Sequence, residues 1–244
     1  MQVLMLQFVD PTAREPLPVF RHEMGQLAAI LKGEGFGCTL VTMNGYRLDL
    51  LHRAVIEHRP QYILVELRPC SVTAAHRTIV AIAERYCLPV AVFGPFATCK
   101  PARAVSIPGT RAVIPGEYIG PCVELLRAAR DGAETDGIAG TWVNTEDGLI
   151  KSELPSLEED LDAQPFPDRE LFDYARTVAL TGELEFKTSR GCPRWCAYCV
   201  NDWYMDLYAD KGKFVRRRSP GTVSYTHLRA HETSLHLVCR LLLE

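Results

Sequence analysis

Short apolar runs alternate with helix-length segments through residues 3–130, and this alternation constrains the fold more than any other feature of the chain. A short, nearly continuous apolar run bounded by turn residues suits a strand covered on both faces. Parallel sheets layered with helices are the architecture that needs such strands. Residues 3–9, 38–43, 62–67, 89–93 and 111–114 read as the strands. Residues 18–32, 47–58, 74–86 and 119–130 read as the helices, the first closing at Gly33 and Gly35 and the last near Gly132. The expected fold is α/β, a doubly wound parallel sheet spanning residues 1–135. Ligands of such sheets sit at the carboxyl ends of the strands.

Residues 136–180 read as a connector. Residues 140–144 and 147–150 form a small hairpin with an Asp147-Gly148 turn. An acidic stretch, 153–162, and Pro155, Pro165 and Pro167 then give an extended linker. Residues 185–188 are the first strand of a second domain, which covers 181–223.

That strand leads into Ser189-Arg190-Gly191-Cys192-Pro193-Arg194-Trp195-Cys196-Ala197-Tyr198-Cys199, with the spacing Cys-x3-Cys-x2-Cys. Three thiolates on one tight loop can hold three irons of a four-iron cluster. The fourth iron then has no ligand from the loop and is open to a small molecule. The competing readings are a zinc site and ordinary buried cysteines. Structural zinc wants four ligands, usually in paired Cys-x2-Cys units, and no second pair is present.

Composition narrows the rest. A net charge of -3 gives no support to a nucleic-acid or anionic-membrane surface. The local basic stretch Lys211, Lys213, Arg216, Arg217 and Arg218 reads as a solvated loop, with a phosphate or carboxylate contact as the alternative. Of nine cysteines, Cys38, Cys70, Cys87, Cys99 and Cys122 are scattered singly and read as small buried hydrophobes. The odd total argues against a disulfide framework. The amino terminus lacks a basic start and is not a signal peptide. No apolar run is long enough for a transmembrane helix. A reducing, cytoplasmic setting is expected.

Cys192, Cys196 and Cys199, with the aromatic Tyr198 before the third cysteine, resemble the signature of the radical S-adenosylmethionine (radical SAM) enzymes. Thr188-Ser189-Arg190-Gly191-Cys192-Pro193 resembles the branch that carries a cobalamin-binding domain ahead of the radical domain. The resemblance implies a 4Fe-4S cluster on the three cysteines and S-adenosylmethionine on the open iron, with Tyr198 on its adenine side. It also implies reductive cleavage to a 5′-deoxyadenosyl radical. Residues 1–135 resemble the family's cobalamin-binding domain. Gly94-Pro95-Phe96-Ala97-Thr98 takes the place of its glycine-rich loop and Pro115-Gly116-Glu117 that of its Gly-Glu turn. This makes Gly94, Pro95, Gly116 and Glu117 the implied cobalamin-binding residues. The Asp-x-His-x-x-Gly motif that supplies a cobalt ligand in many cobalamin proteins is missing: Pro11 and Thr12 follow Asp10. His22, His52, His58 and His76 lie in helical contexts and read as surface residues. Cobalamin is therefore expected without a protein histidine. Segments 160–162, 165–168 and 171–174 resemble the family's interdomain segment.

By the same resemblance, residues 181–223 are the start of a β/α barrel, about one βα unit, with its active site at the strand's carboxyl end. The implied reaction is methyl transfer or rearrangement on an unidentified small molecule or peptide. The implied partner is an electron donor such as a flavodoxin or ferredoxin; neither nucleic acid nor membrane is expected. Two alternatives stand. One is a methylthiotransferase-like radical SAM enzyme with a second cluster on the amino-terminal cysteines. The other is a non-catalytic ligand-binding α/β domain followed by an inactive stub. Residues 224–244 resemble a tail seen on unrelated proteins whose coding sequence runs into sequencing adapter, and the native chain is expected to end near Val223. A metal site from His227, His231, His236 and Cys239 is the rival reading.

Overall fold

Strand β1 (Gln2–Phe8) is buried from Val3 to Phe8, as a run covered on both faces must be. The computed structural model describes residues 1–9, 19–183 and 185–224. Beside β1 lie β2 (Gly37–Met43) and β3 (Tyr62–Glu66), then β4 (Val90–Phe93) and β5 (Thr110–Ile114). All pair in parallel, in the order β2-β1-β3-β4-β5. The doubly wound α/β fold read from the sequence is thus the one observed.

Alternate strand residues face opposite helical layers. Leu4, Leu6, Phe8, Ile63, Val65, Val90, Val92 and Val113 pack with Leu51 and Ala54 of α2 (Leu48–His58) and with Ala75, Ile79 and Ile82 of α3 (Val72–Tyr86). On the other face α1 (His22–Gly33) packs beside α6 (Ile119–Asp131). Two short helices, α4 (Pro95–Cys99) and α5 (Pro101–Val105), join β4 to β5. Helix α1 begins at His22 rather than at residue 18. The Gln7 amide explains the later start: its Nε2 donates to the Val19 carbonyl (2.6 Å) and its Oε1 accepts from the Val19 N–H (3.0 Å). Both backbone groups are thereby withheld from the helix.

The hairpin extends the same sheet. Strand β6 (Trp142–Thr145) pairs antiparallel with β5 and with β7 (Gly148–Lys151). The Asn144 side chain fixes it there, donating to the carbonyls of Val105 (3.1 Å) and Thr110 (2.9 Å). Its two-residue turn is Glu146-Asp147 and not Asp147-Gly148, because Gly148 already pairs with Thr145. Four of the five cysteines read as buried depart from that reading: Cys70 and Cys87 are exposed and Cys38 and Cys99 half-buried, whereas Cys122 is buried. Cys87 is the left-handed residue that ends α3 (φ 52°), and Cys70 lies in the 3-10 turn Pro69–Ser71 before it. Helix ends and turns run over the surface.

The chain forms two compact units, Met1–Pro155 with Phe166–Phe172, and Ser156–Pro165 with the residues from Asp173 onward. The second holds α7 (Tyr174–Thr181), β8 (Ser189–Arg190), α8 (Val200–Leu207) and β9 (Arg216–Arg217). Residues 185–188 are not a strand. The strand is β8, and it pairs antiparallel with β9. The Thr188 carbonyl extends that ladder, accepting from the Arg218 N–H (2.9 Å), while the Glu185 N–H donates to the Tyr174 hydroxyl (2.6 Å) rather than to a strand. Among the described residues no helix is long and apolar enough to cross a membrane. Asp10, Pro11, Thr12, His227, His231, His236 and Cys239 lie outside the described residues, as does nearly all of the expected tail.

Candidate functional site

At the carboxyl ends of the parallel strands, two of the glycine turns named from the sequence come together. Gly94 ends β4 at φ 99°, and a Cβ there would stand 3.0 Å from the Leu67 carbonyl oxygen. Gly116 follows β5 at φ 78°. Both are conformations that favour glycine. Pro95 opens α4 at its first position, where a missing N–H costs nothing. Glu117 is half-buried beside Gly116. Thr98 ties the turns: its hydroxyl donates to the Gly94 carbonyl (2.9 Å) and accepts from the Gly116 N–H (3.0 Å).

Next to Gly94 the last residue of β3, Glu66, is 5% exposed. Such a carboxylate needs partners. Arg68 Nη1 donates to its Oε1 at 3.2 Å, and Arg21 Nε stands 3.6 Å from its Oε2. The aromatic rings of Phe93 and Tyr118 lie 4.2 Å apart between centroids at the ends of β4 and β5. A cavity of about 240 Å³ opens beyond β1, β2 and β3, lined by Phe8, Tyr46, Cys70, Ser71 and Arg77 among others. The Arg77 guanidinium sits 4.3 Å over the Tyr46 ring. In a sheet ordered 2-1-3-4-5, the gap between strands 1 and 3 is where the winding reverses and a ligand crevice forms. Sequence reading found the glycines and missed Thr98, Glu66 and the cavity. Glu66 did carry a signal, a carboxylate closing an otherwise apolar strand.

The edge suits a broad, flat cofactor lying against backbone, because its two tied turns carry glycine where side chains would stand off a ring. The described histidines sit in helices: His52 and His76 are exposed, His22 and His58 half-buried.

The second unit carries the cysteine loop. β8 enters it at Gly191, whose φ is 81° and whose added Cβ would lie 2.1 Å from the Phe214 carbonyl oxygen. Only glycine fits. Cys192, Cys196 and Cys199 are free and half-buried. The Cys199 N–H donates to the Cys196 carbonyl at 2.7 Å. Cys199 is also the residue that caps α8, in extended conformation. Around the loop Trp195 (65%), Tyr198 (93%) and Trp203 (40%) are exposed.

Among the described residues no three cysteine, histidine or carboxylate side chains converge on one ion's position. A four-iron cluster asks for less, since each thiolate takes a different iron. The donor set, three soft thiols on one loop, fits such a cluster. Cys38, Cys70, Cys87 and Cys99 do not gather. Cys38 lies at the start of β2 and Cys87 at the end of α3, while Cys70 and Cys99 follow β3 and β4 at the opposite edge.

No protein-family model and no curated protein sequence matches the chain. Solved structures do. The radical S-adenosylmethionine methyltransferase TsrM from Kitasatospora setae, solved with tryptophan substrate and a SAM analog, is 21% identical with a TM-score of 0.63, over 91% of this chain and 44% of that one. TsrM with cobalamin and a [4Fe-4S] cluster bound gives 19% and 0.62 over the same shares. The cobalamin-dependent S-adenosylmethionine radical enzyme OxsB, with aqua-cobalamin and S-adenosylmethionine bound, gives 19% and 0.71, over 91% of this chain and 30% of that one. The chain therefore shares its fold with these enzymes and spans less than half the length of either.

Proposed function

We propose that the chain belongs to the cobalamin-dependent radical SAM enzymes, with a corrinoid at the carboxyl edge of its sheet and a 4Fe-4S cluster on the Cys192, Cys196 and Cys199 loop. One observation carries the reading: a 2-1-3-4-5 sheet with tied glycine turns and a Cys-x3-Cys-x2-Cys loop occur in a single chain, and TsrM, solved with both a cobalamin and a [4Fe-4S] cluster, shares its fold over 91% of its length.

When bound, such a cluster supplies the electron for reductive cleavage of S-adenosylmethionine, and a corrinoid carries a methyl group or assists a rearrangement. The chain's own residues do the holding. Cys192, Cys196 and Cys199 each ligate one iron and leave the fourth free for the methionine end of S-adenosylmethionine. Tyr198 offers its exposed ring to the adenine. Gly94 and Gly116 would let the backbone approach the corrin, and Thr98 keeps the two turns in register. The substrate is a small molecule or peptide, the electron donor a flavodoxin- or ferredoxin-like protein, and the setting a reducing cytoplasm.

The test is joint loading of the full chain with iron, sulfide and hydroxocobalamin without oxygen. About four irons and one corrinoid per chain are expected. Cys196→Ala should lose the iron and keep the corrinoid, and Gly94→Val the reverse. About eight irons per chain would indicate a second cluster, and loading with neither would overturn the proposal.

A further inference from the structure

The acidic stretch read as a linker and the basic stretch read as a solvated loop are bonded to each other, and together they brace the cysteine loop. Strand β9 lies against β8, with Arg216 opposite Arg190 and Arg217 opposite Ser189. Arg190 and Arg216 are 8% and 4% exposed. Two like charges directly opposite on a ladder repel, and buried guanidinium groups demand acceptors. For Arg216 and Arg218 the segment Ser156–Pro165 supplies them. Arg216 Nη1 donates to the Glu158 carbonyl at 2.9 Å. Arg218 Nη1 and Nη2 donate to the Gln164 carbonyl at 3.2 and 3.3 Å. The Ser219 N–H donates to both Asp162 carboxylate oxygens at 3.1 Å. Upstream, the Leu157 N–H donates to the Lys211 carbonyl (2.7 Å) and the Lys213 N–H to Glu159 Oε1 (3.3 Å). Leu157 and Leu161 are buried beneath. The carboxylates of Asp162 and Asp160 set an opposing field at Arg218.

The contact reaches the residue just before the first cysteine. Gly191 lies so close to the Phe214 carbonyl and Val215 Cα that no side chain fits between them. Any shift of residues 214–218 is therefore passed to Gly191 and on to Cys192. We propose that Arg216, with the strap Ser156–Pro165 that holds it, is a positioning residue for the cluster loop: the strap's carbonyls and the Asp162 carboxylate fix β9, and β9 fixes the backbone at Gly191 from which Cys192 would reach the cluster. The proposal rests on the cluster reading above.

The test compares the full chain with Arg216→Gln, Arg216→Lys and Asp162→Asn. Each is reconstituted with iron and sulfide and read by iron content, by the electron paramagnetic resonance (EPR) spectrum of the reduced protein and by the rate of iron loss to a chelator. Removing an outer partner of a metal ligand costs about 10–100-fold in affinity, so Arg216→Gln should lose iron about tenfold faster, with a shifted EPR signal. Arg216→Lys keeps the charge without the fork and should fall between. Asp162→Asn leaves the arginines in place and should shift the signal in the same direction by less, which decides the matter if Arg216→Gln does not fold. Wild-type EPR and wild-type iron loss in Asp162→Asn and in the folded Arg216 variants would overturn the positioning role alone. Failure of the wild-type chain to take up iron would overturn the cluster reading and the positioning role with it.

Discussion

Thr98 shows how one side chain can hold a binding edge together. Its hydroxyl accepts from the Gly116 N–H 18 residues ahead and donates to the Gly94 carbonyl four residues back. Thr98→Val keeps the shape and removes both bonds, leaving the Gly116 N–H unmet while the Gly94 carbonyl still accepts from the backbone N–H of residue 98 (3.0 Å). Chemical denaturation should show a loss of about 1–3 kcal/mol, and hydroxocobalamin affinity should fall with it; Thr98→Ser should recover most of both. Gly94→Ala meets a positive φ and the Leu67 carbonyl at once and should destabilise by about 1–3 kcal/mol. The glycines were legible because turn chemistry is local. Thr98 was not, since its second partner is defined only once β4 and β5 are paired. Burial of lone cysteines failed for a related reason: composition says that cysteine suits a core, but Cys87 is fixed by its place at a helix end.

Among the elements, the strap and the return segment Phe166–Phe172 are where linker composition misled. Phe172 is fully buried, its ring in an edge contact with Phe20 at 5.2 Å. The Asp168 N–H donates to the Gly25 carbonyl at 3.0 Å, and the Asp168 carboxylate pairs with Lys32 at 2.6 Å. Phe172→Ala should therefore cost about 3–5 kcal/mol, as a core residue does, and a chain ended at residue 135 should be less stable than one ended at 172. The strands and helices of the sheet were legible from periodicity. Docking of the connector was not, because a few apolar residues among prolines and acids carry no period. The strap also responds to acid. The Asp162 carboxyl is held below its usual range, first by its hydrogen bond with the Ser219 side chain and further by the Ser219 backbone, Thr222 and Arg218. A carboxylate lower in the folded than in the unfolded chain contributes stability that is full above its unfolded value and is lost as pH falls through the folded one. The β8–β9 region should loosen from about pH 4 downward, and Asp162→Asn should remove part of that dependence, as hydrogen exchange at Ser219 would report.

At the scale of the molecule, one unit offers a sheet edge shaped by glycines and the other a loop of three thiols beside exposed aromatics. The sheet was readable in the sequence because its strands announce themselves as apolar runs. The cysteine loop was readable because its spacing is itself the chemistry. The bracing of that loop was not, since it depends on a ladder between strands of two residues each, too short to leave a pattern. The central claim is that the three cysteines hold a four-iron cluster with one iron open, and the direct measurement is the EPR spectrum of the reconstituted, dithionite-reduced full chain before and after S-adenosylmethionine is added. A cluster signal that changes on addition, and that is absent in Cys196→Ala, is the expected result. A signal indifferent to S-adenosylmethionine, or iron retained in full by Cys196→Ala, would contradict it.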